Sequence, residues 1–169
     1  MDTFFEQIIP IKKSGKALAG IVGIWLLALI ISAALLLFPI LGSLNLLLIF
    51  GVLFGAFKLS TLFNVEYEYI ITNGTLDIDK ITNRSSRKRI LSLELPQVSR
   101  LEKFNPHMLL TINAKSVVIA CNENDGDAYL LVAEKEGKGA SYLVFAPDER
   151  LRTAIVKFVP KFIANSAFK

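Results

Sequence analysis

The sequence predicts an α+β protein: a two-helix transmembrane hairpin, then about seven antiparallel strands in a bent sheet or barrel, then an amphipathic C-terminal helix. Three observations predict it. Residues 17–38 and 44–63 are two long apolar runs, separated only by Pro39-Ile40-Leu41-Gly42-Ser43. From residue 65 onward the apolar residues alternate with polar ones, and turn residues interrupt them at short intervals. After Pro147 the spacing of apolar residues changes again, to steps of three and four.

The first apolar run holds no charged residue. As a helix it would extend roughly 33 Å at about 1.5 Å per residue, enough to cross the hydrocarbon of a bilayer. The second run carries one charge, Lys58, near its far end, where a long stem can reach the interface. With no Asp, Glu, Arg or His in either run, the hairpin lacks the groups of an ion relay or a coupled transporter. A cleavable secretory leader fits poorly, because the chain opens MDTFFE, acidic and aromatic, and a second apolar run follows the first. Lys12, Lys13 and Lys16 precede the first run, whereas the connector is uncharged. The positive-inside rule therefore places the protein in the cell membrane with two spans, both termini cytoplasmic and the connector outside. Gly51 and Gly55 form a Gly-x-x-x-Gly spacing in the second run, and Ala19/Gly23 and Ala28/Ser32 give small faces on the first. Small residues at this spacing let helix backbones approach closely, either within the hairpin or between two copies in a homodimer.

Outside the hairpin the chain divides into an N-terminal segment, residues 1–16, and a cytoplasmic domain, residues 64–169. In the N-terminal segment Phe4, Phe5, Ile8 and Ile9 fall at helical spacing before Pro10. Two readings stand: a short helix lying on the headgroups, or a terminus that is frayed or packed on the soluble domain. In the domain, Val65, Tyr67, Tyr69 and Ile71 alternate with Glu66, Glu68 and Ile70 as a strand does. Asn73-Gly74 is a strong hairpin-turn signal, and Leu76 and Ile78 then alternate with Asp77 and Asp79. A polar turn leads into Arg87-Lys88-Arg89 and a third strand through Leu91, Leu93 and Leu95, ended by Pro96. Residues 97–107 read as a loop with a short helical turn, and further strands are expected at 108–113, 116–122, 128–134 and 140–146. Pro147-Asp148-Glu149 is a helix start, followed by a stripe of Leu151, Ile155, Phe158 and Phe162 that Pro160 should kink.

Seven strands followed by one amphipathic helix is the order of a pleckstrin-homology-like domain. The segment YEYIITNGTLDI at residues 67–78 resembles the opening hairpin of bacterial PH-like domains, with a basic third strand after it. Over roughly residues 17–165 the chain resembles a family of small two-span membrane proteins from Firmicutes that carry such a domain. The resemblance implies fold and location and brings no catalytic residues. The aspartate-rich second strand departs from the commoner bacterial pattern.

Lys80, Arg84, Arg87, Lys88 and Arg89 are the most suggestive polar group. Clustered basic residues on a tethered domain can meet anionic headgroups, and they can equally be a solvated turn that protects a sheet edge. The net charge of +4 suits membrane lipids and is too small and too mixed with acids for nucleic acid. Residues 122–127 hint at a calcium loop, but Gly126 comes one residue early and Ala133 stands where the bidentate acid belongs. His107 and Cys121, single copies of each type, leave a zinc site short of ligands, and no cofactor or nucleophile motif appears. The sequence thus points to a membrane-tethered, non-catalytic binding or scaffold module whose domain contacts a protein partner or an anionic membrane surface. The alternative is a structural subunit of a larger membrane complex assembled through the hairpin.

Overall fold

The structure, a computed structural model, describes residues 4–38, 42–110, 112, 117–122, 126–135, 139–165 and 167–168. It begins with a strand. β1 (Phe4–Pro10) pairs antiparallel with β2 (Val65–Thr72), Phe4 opposite Thr72 and Pro10 opposite Glu66. Of the two readings of this segment, the structure therefore takes packing on the domain, as a strand, in place of an interfacial helix; residues 2–3 lie outside the described residues. The apolar residues there satisfy a strand as well as a helix: Phe5 and Ile9 pack against the domain core while Phe4 and Ile8 face outward. Gln7, between them, donates from Nε2 to the Ala146 carbonyl at 3.2 Å and accepts from the Asp148 N–H at 2.9 Å.

Between β1 and β2 lie α1 (Gly15–Leu37) and α2 (Leu44–Thr61), both long and apolar enough to cross a membrane. Ser14 caps α1, its hydroxyl accepting from the Ala17 N–H at 3.3 Å. The two helices meet through small and polar residues: Ala28, Ser32, Asn45 and Ala56 are buried. Asn45 Nδ2 donates to the Leu35 carbonyl at 2.9 Å, satisfying one of the last-turn carbonyls that a helix leaves without an internal partner. Gly20 takes the close approach, since a Cβ there would stand 3.1 Å from the Phe63 ring.

The domain has two four-stranded sheets. The first runs β1-β2-β3-β4, with β3 at Thr75–Thr82 and β4 at Ser86–Glu94. The β2–β3 turn is Asn73-Gly74, with φ of 48° and 92°, the two positive values that a type I′ turn requires. A Cβ on Gly74 would also come within 3.2 Å of the Phe158 ring. The second sheet runs β5-β7-β8-β6, with β5 at Val98–Lys103, β6 at Val117–Ile119, β7 at Tyr129–Lys135 and β8 at Gly139–Phe145. Both sheets face one core that includes Tyr69, Ile71, Leu131, Leu143 and Phe145.

The second sheet departs from expectation in three ways. Residues 98–103, expected as a loop, form β5, with Val98 and Leu101 buried. Residues 108–110, expected to open a strand over 108–113, lie instead in a 3-10 turn (Pro106–Leu110), and residues 111 and 113 of that expected strand lie outside the described residues. Its Met108, with Phe104 and Ile112, packs on a smaller apolar cluster around Leu130 and Val144 on the other face of the sheet. β6 is short and pairs parallel with β8, so the strands are not all antiparallel.

α3 (Glu149–Phe158) is capped by Asp148, whose Oδ1 accepts from the Leu151 N–H at 2.8 Å, and it buries Leu151, Ala154 and Ile155 in the core. Pro160 follows it, and α4 (Lys161–Ala164) restarts out of phase, burying Ile163 and leaving Phe162 68% exposed in place of the expected stripe. By compactness the chain forms two units: Met1–Ile11, Glu66–Ile81 and Arg87–Lys169 in one, Lys12–Val65 and Thr82–Ser86 in the other.

Candidate functional site

The alternation of β3 and β4 decides where the basic residues go. On β3, Leu76 and Ile78 enter the core, so Asp77 and Asp79 face the opposite side of the first sheet. Arg87 and Arg89 of β4 come to that same side. Arg87 Nη2 donates to Glu68 Oε1 at 2.8 Å, Arg89 Nη1 meets Asp77 Oδ2 at 2.7 Å, and Arg89 Nε donates to Asp79 Oδ1 at 2.9 Å. Each arginine is about half exposed while its acids are covered: the Glu68 side chain is 0% exposed and that of Asp79 5%. The result is a ladder of charge across three strands, in which each buried carboxylate has a guanidinium against it.

The environment shifts two of these groups. Burial raises the Glu68 carboxyl above its ordinary value; a hydrogen bond with Glu6 adds to this and the Arg87 charge works against it. Arg89 is held above its ordinary value by its hydrogen bond to Asp79 and by the charge of the two aspartates. Arg87 and Arg89 thus serve the sheet itself.

The other three lie elsewhere. Lys80 is half-buried near the end of β3, and Lys88 is exposed on β4. Arg84 is exposed at the tip of the β3–β4 turn, where Asn83 and Arg84 both have φ of 53°. That left-handed conformation is unusual for a residue with a side chain. The turn is anchored: the Asn83 N–H donates to the Asn64 carbonyl at 2.8 Å, just past the end of α2. The basic turn therefore sits against the chain as it leaves the second apolar helix. The Asn83 contact was invisible in the sequence, because nothing in residues 62–64 marks an acceptor for a turn about twenty residues on.

Gly51 is exposed and Gly55 half-buried on α2, and a Cβ added to either meets nothing within 4 Å. Gly55 borders a shallow apolar groove of about 200 Å³ along the α1–α2 seam, with Ile24, Leu27, Ala28 and Val52 among its walls.

Among the described residues, no group of three His, Cys, Asp or Glu side chains is placed to hold a metal ion. Cys121 is buried in the smaller apolar cluster. Burial raises the nearby Tyr67 phenol above its ordinary value, with the Cys121 thiol adding to the effect. His107 lies in the exposed 3-10 turn, its N–H donating to Asn105 Oδ1 at 3.0 Å. The calcium-loop reading of 122–127 falls on residues 123–125, which lie outside the described residues.

The model of one protein family, described as a bacterial PH-like domain (DUF6106), matches residues 1–165. No curated protein and no solved structure matches the chain.

Proposed function

The chain belongs to the bacterial PH-like domain family DUF6106, whose match includes both apolar helices, and on that premise we propose that it is a non-catalytic, membrane-tethered binding module. In this reading α1 and α2 span the cell membrane, both termini are cytoplasmic, and the β3–β4 turn of the domain contacts the anionic headgroups of the same membrane. The supporting observation is the Asn83–Asn64 hydrogen bond at 2.8 Å, which ties that turn to the exit of α2. With α2 in the bilayer, Arg84 stands at the headgroup level, where each basic residue contributes about 1 kcal/mol. Lys12 and Lys13, just before α1, and Lys16, in its first turn, add charge at the same level. Arg87 and Arg89 contribute less, because buried acids on their own sheet already hold them.

A second reading has its own observation. The open space around Gly51 and Gly55 leaves these glycines unused by the hairpin, as a structural subunit assembling through α2 would require.

One experiment separates the readings. A photoreactive residue is placed at Ser85, beside Arg84, or at Gly51, in the full chain in native membranes. Lipid adducts from position 85 that fall on Arg84→Gln, and in high salt, support headgroup contact. A discrete protein adduct from position 85 would make the turn a protein-recognition surface. Adducts from position 51 alone would reject the module and favour the hairpin subunit.

A further inference from the structure

We propose that the Glu68 carboxyl, facing Glu6 across the first strand pair, is a latch that holds the N-terminal strand on the sheet and loosens it as the pH rises. β1 is the edge strand of the first sheet, hydrogen-bonded on one side only. In its register Ile8 stands opposite Glu68 and Glu6 opposite Ile70, which makes Glu6 and Glu68 diagonal neighbours on one face. The Glu68 side chain is fully buried there. Its Oε1 accepts from Arg87, while its Oε2 is also buried and has no donor. Two ionised carboxylates hold only acceptors, so Glu68 Oε2 can bond to Glu6 only when the Glu68 carboxyl carries a proton.

The surrounding charges favour that proton. Glu6 of β1, Glu66 and Glu68 of β2, and Asp77 and Asp79 of β3 share this face with Arg87 and Arg89 of β4. Arg89 is committed to Asp77 and Asp79, which leaves Arg87 to balance Glu68 with Glu6 beside it. The upward shift of the Glu68 carboxyl agrees. Its sign follows from linkage: a carboxyl with a raised folded value contributes stability that is fully present below the ordinary carboxylate range. That stability is lost as pH climbs through the raised value. Deprotonation sets two like charges across the β1–β2 pair, and an edge strand is the cheapest element to open. β1 runs into α1 through residues 11–14 alone, so the latch lies on the strand that leads into the first apolar helix.

Hydrogen exchange of residues 4–10, measured on the full chain in lipid nanodiscs and corrected for intrinsic rates, tests the latch. From about pH 4, below the ordinary carboxylate range, to about pH 8, protection of β1 should fall several-fold in the unsubstituted protein. In Glu68→Gln, where the amide donates at every pH, protection should stay high and flat. Glu6→Gln removes the same pair from the exposed side and serves if Glu68→Gln does not fold. Gln7→Ala, which cuts the other tie of β1, should lower protection at every pH and keep the slope. A flat profile in the unsubstituted protein, or an unchanged slope in both glutamine variants, would overturn the proposal.

Discussion

Single polar atoms hold the domain together at places where no sheet ladder reaches. Tyr69 is fully buried, and its hydroxyl donates to the Ala120 carbonyl at 2.5 Å and accepts from the Ala146 N–H at 3.3 Å. One phenol on β2 thereby closes the backbone just after β6 and just after β8. Tyr69→Phe keeps the ring against Phe145, 5.7 Å between centroids, and removes these two bonds. It should cost about 1–3 kcal/mol, because the carbonyl and the N–H are left without partners inside the core. Denaturant unfolding in detergent, compared with the unsubstituted protein, checks this. A cost near zero would mean that water replaces the hydroxyl.

Elements were legible where one period ran unbroken. β2 and β3 alternate cleanly on either side of Asn73-Gly74, and α3 has a start signal in Asp148 and a buried stripe. The failures share a cause: apolar residues that fit two periods. Phe4, Phe5, Ile8 and Ile9 satisfy a helix and a strand alike, and the decision came from β2, whose free edge needed a partner. Residues 98–103 carry Ser99, Arg100, Glu102 and Lys103, a polar surface that hid the buried Val98 and Leu101. In the 106–110 turn it is Met108 that packs on the outer side of the second sheet, a role that local pattern does not encode. In the candidate site the basic residues were legible as a cluster, whereas their division was not, because it rests on which face of β3 carries Asp77 and Asp79. The break after α3 allows a direct check. Ile155→Ala should cost about 2–5 kcal/mol and Phe162→Ala less than about 0.5 kcal/mol, since Pro160 resets the phase between them. Equal losses, measured by thermal unfolding, would mean that one continuous stripe is buried after all.

For the molecule as a whole, the decisive fact is connectivity. The two apolar helices stand between β1 and β2, two strands that are hydrogen-bonded neighbours. The domain is therefore assembled from both sides of the hairpin, and residues 4–10 belong to it as much as residues 66–81 and those from Arg87 onward do. This connectivity has a consequence for orientation. β1 and β2 pair in one sheet, so the start of α1 and the end of α2 must lie on one side of any bilayer that the helices cross. The same constraint puts residues 42–43 on the other side. By the positive-inside rule, the lysines around the start of α1 predict that this side is the cytoplasm. At about 34 Å and about 27 Å, α1 and α2 match a hydrocarbon core of about 30 Å closely enough to span it. Cysteine labelling in intact cells reads this directly. Cys121 is buried and serves as an unreactive background. Ser43→Cys should react with an impermeant maleimide added outside, and Lys12→Cys and Ser85→Cys should react only after the membrane is opened. Labelling of Lys12→Cys and Ser85→Cys from outside, with Ser43→Cys protected, would invert the orientation and move the basic turn away from the anionic cytoplasmic leaflet. Labelling of all three from outside would mean that the helices do not cross, and the tether would have to be replaced by a packed or peripheral hairpin.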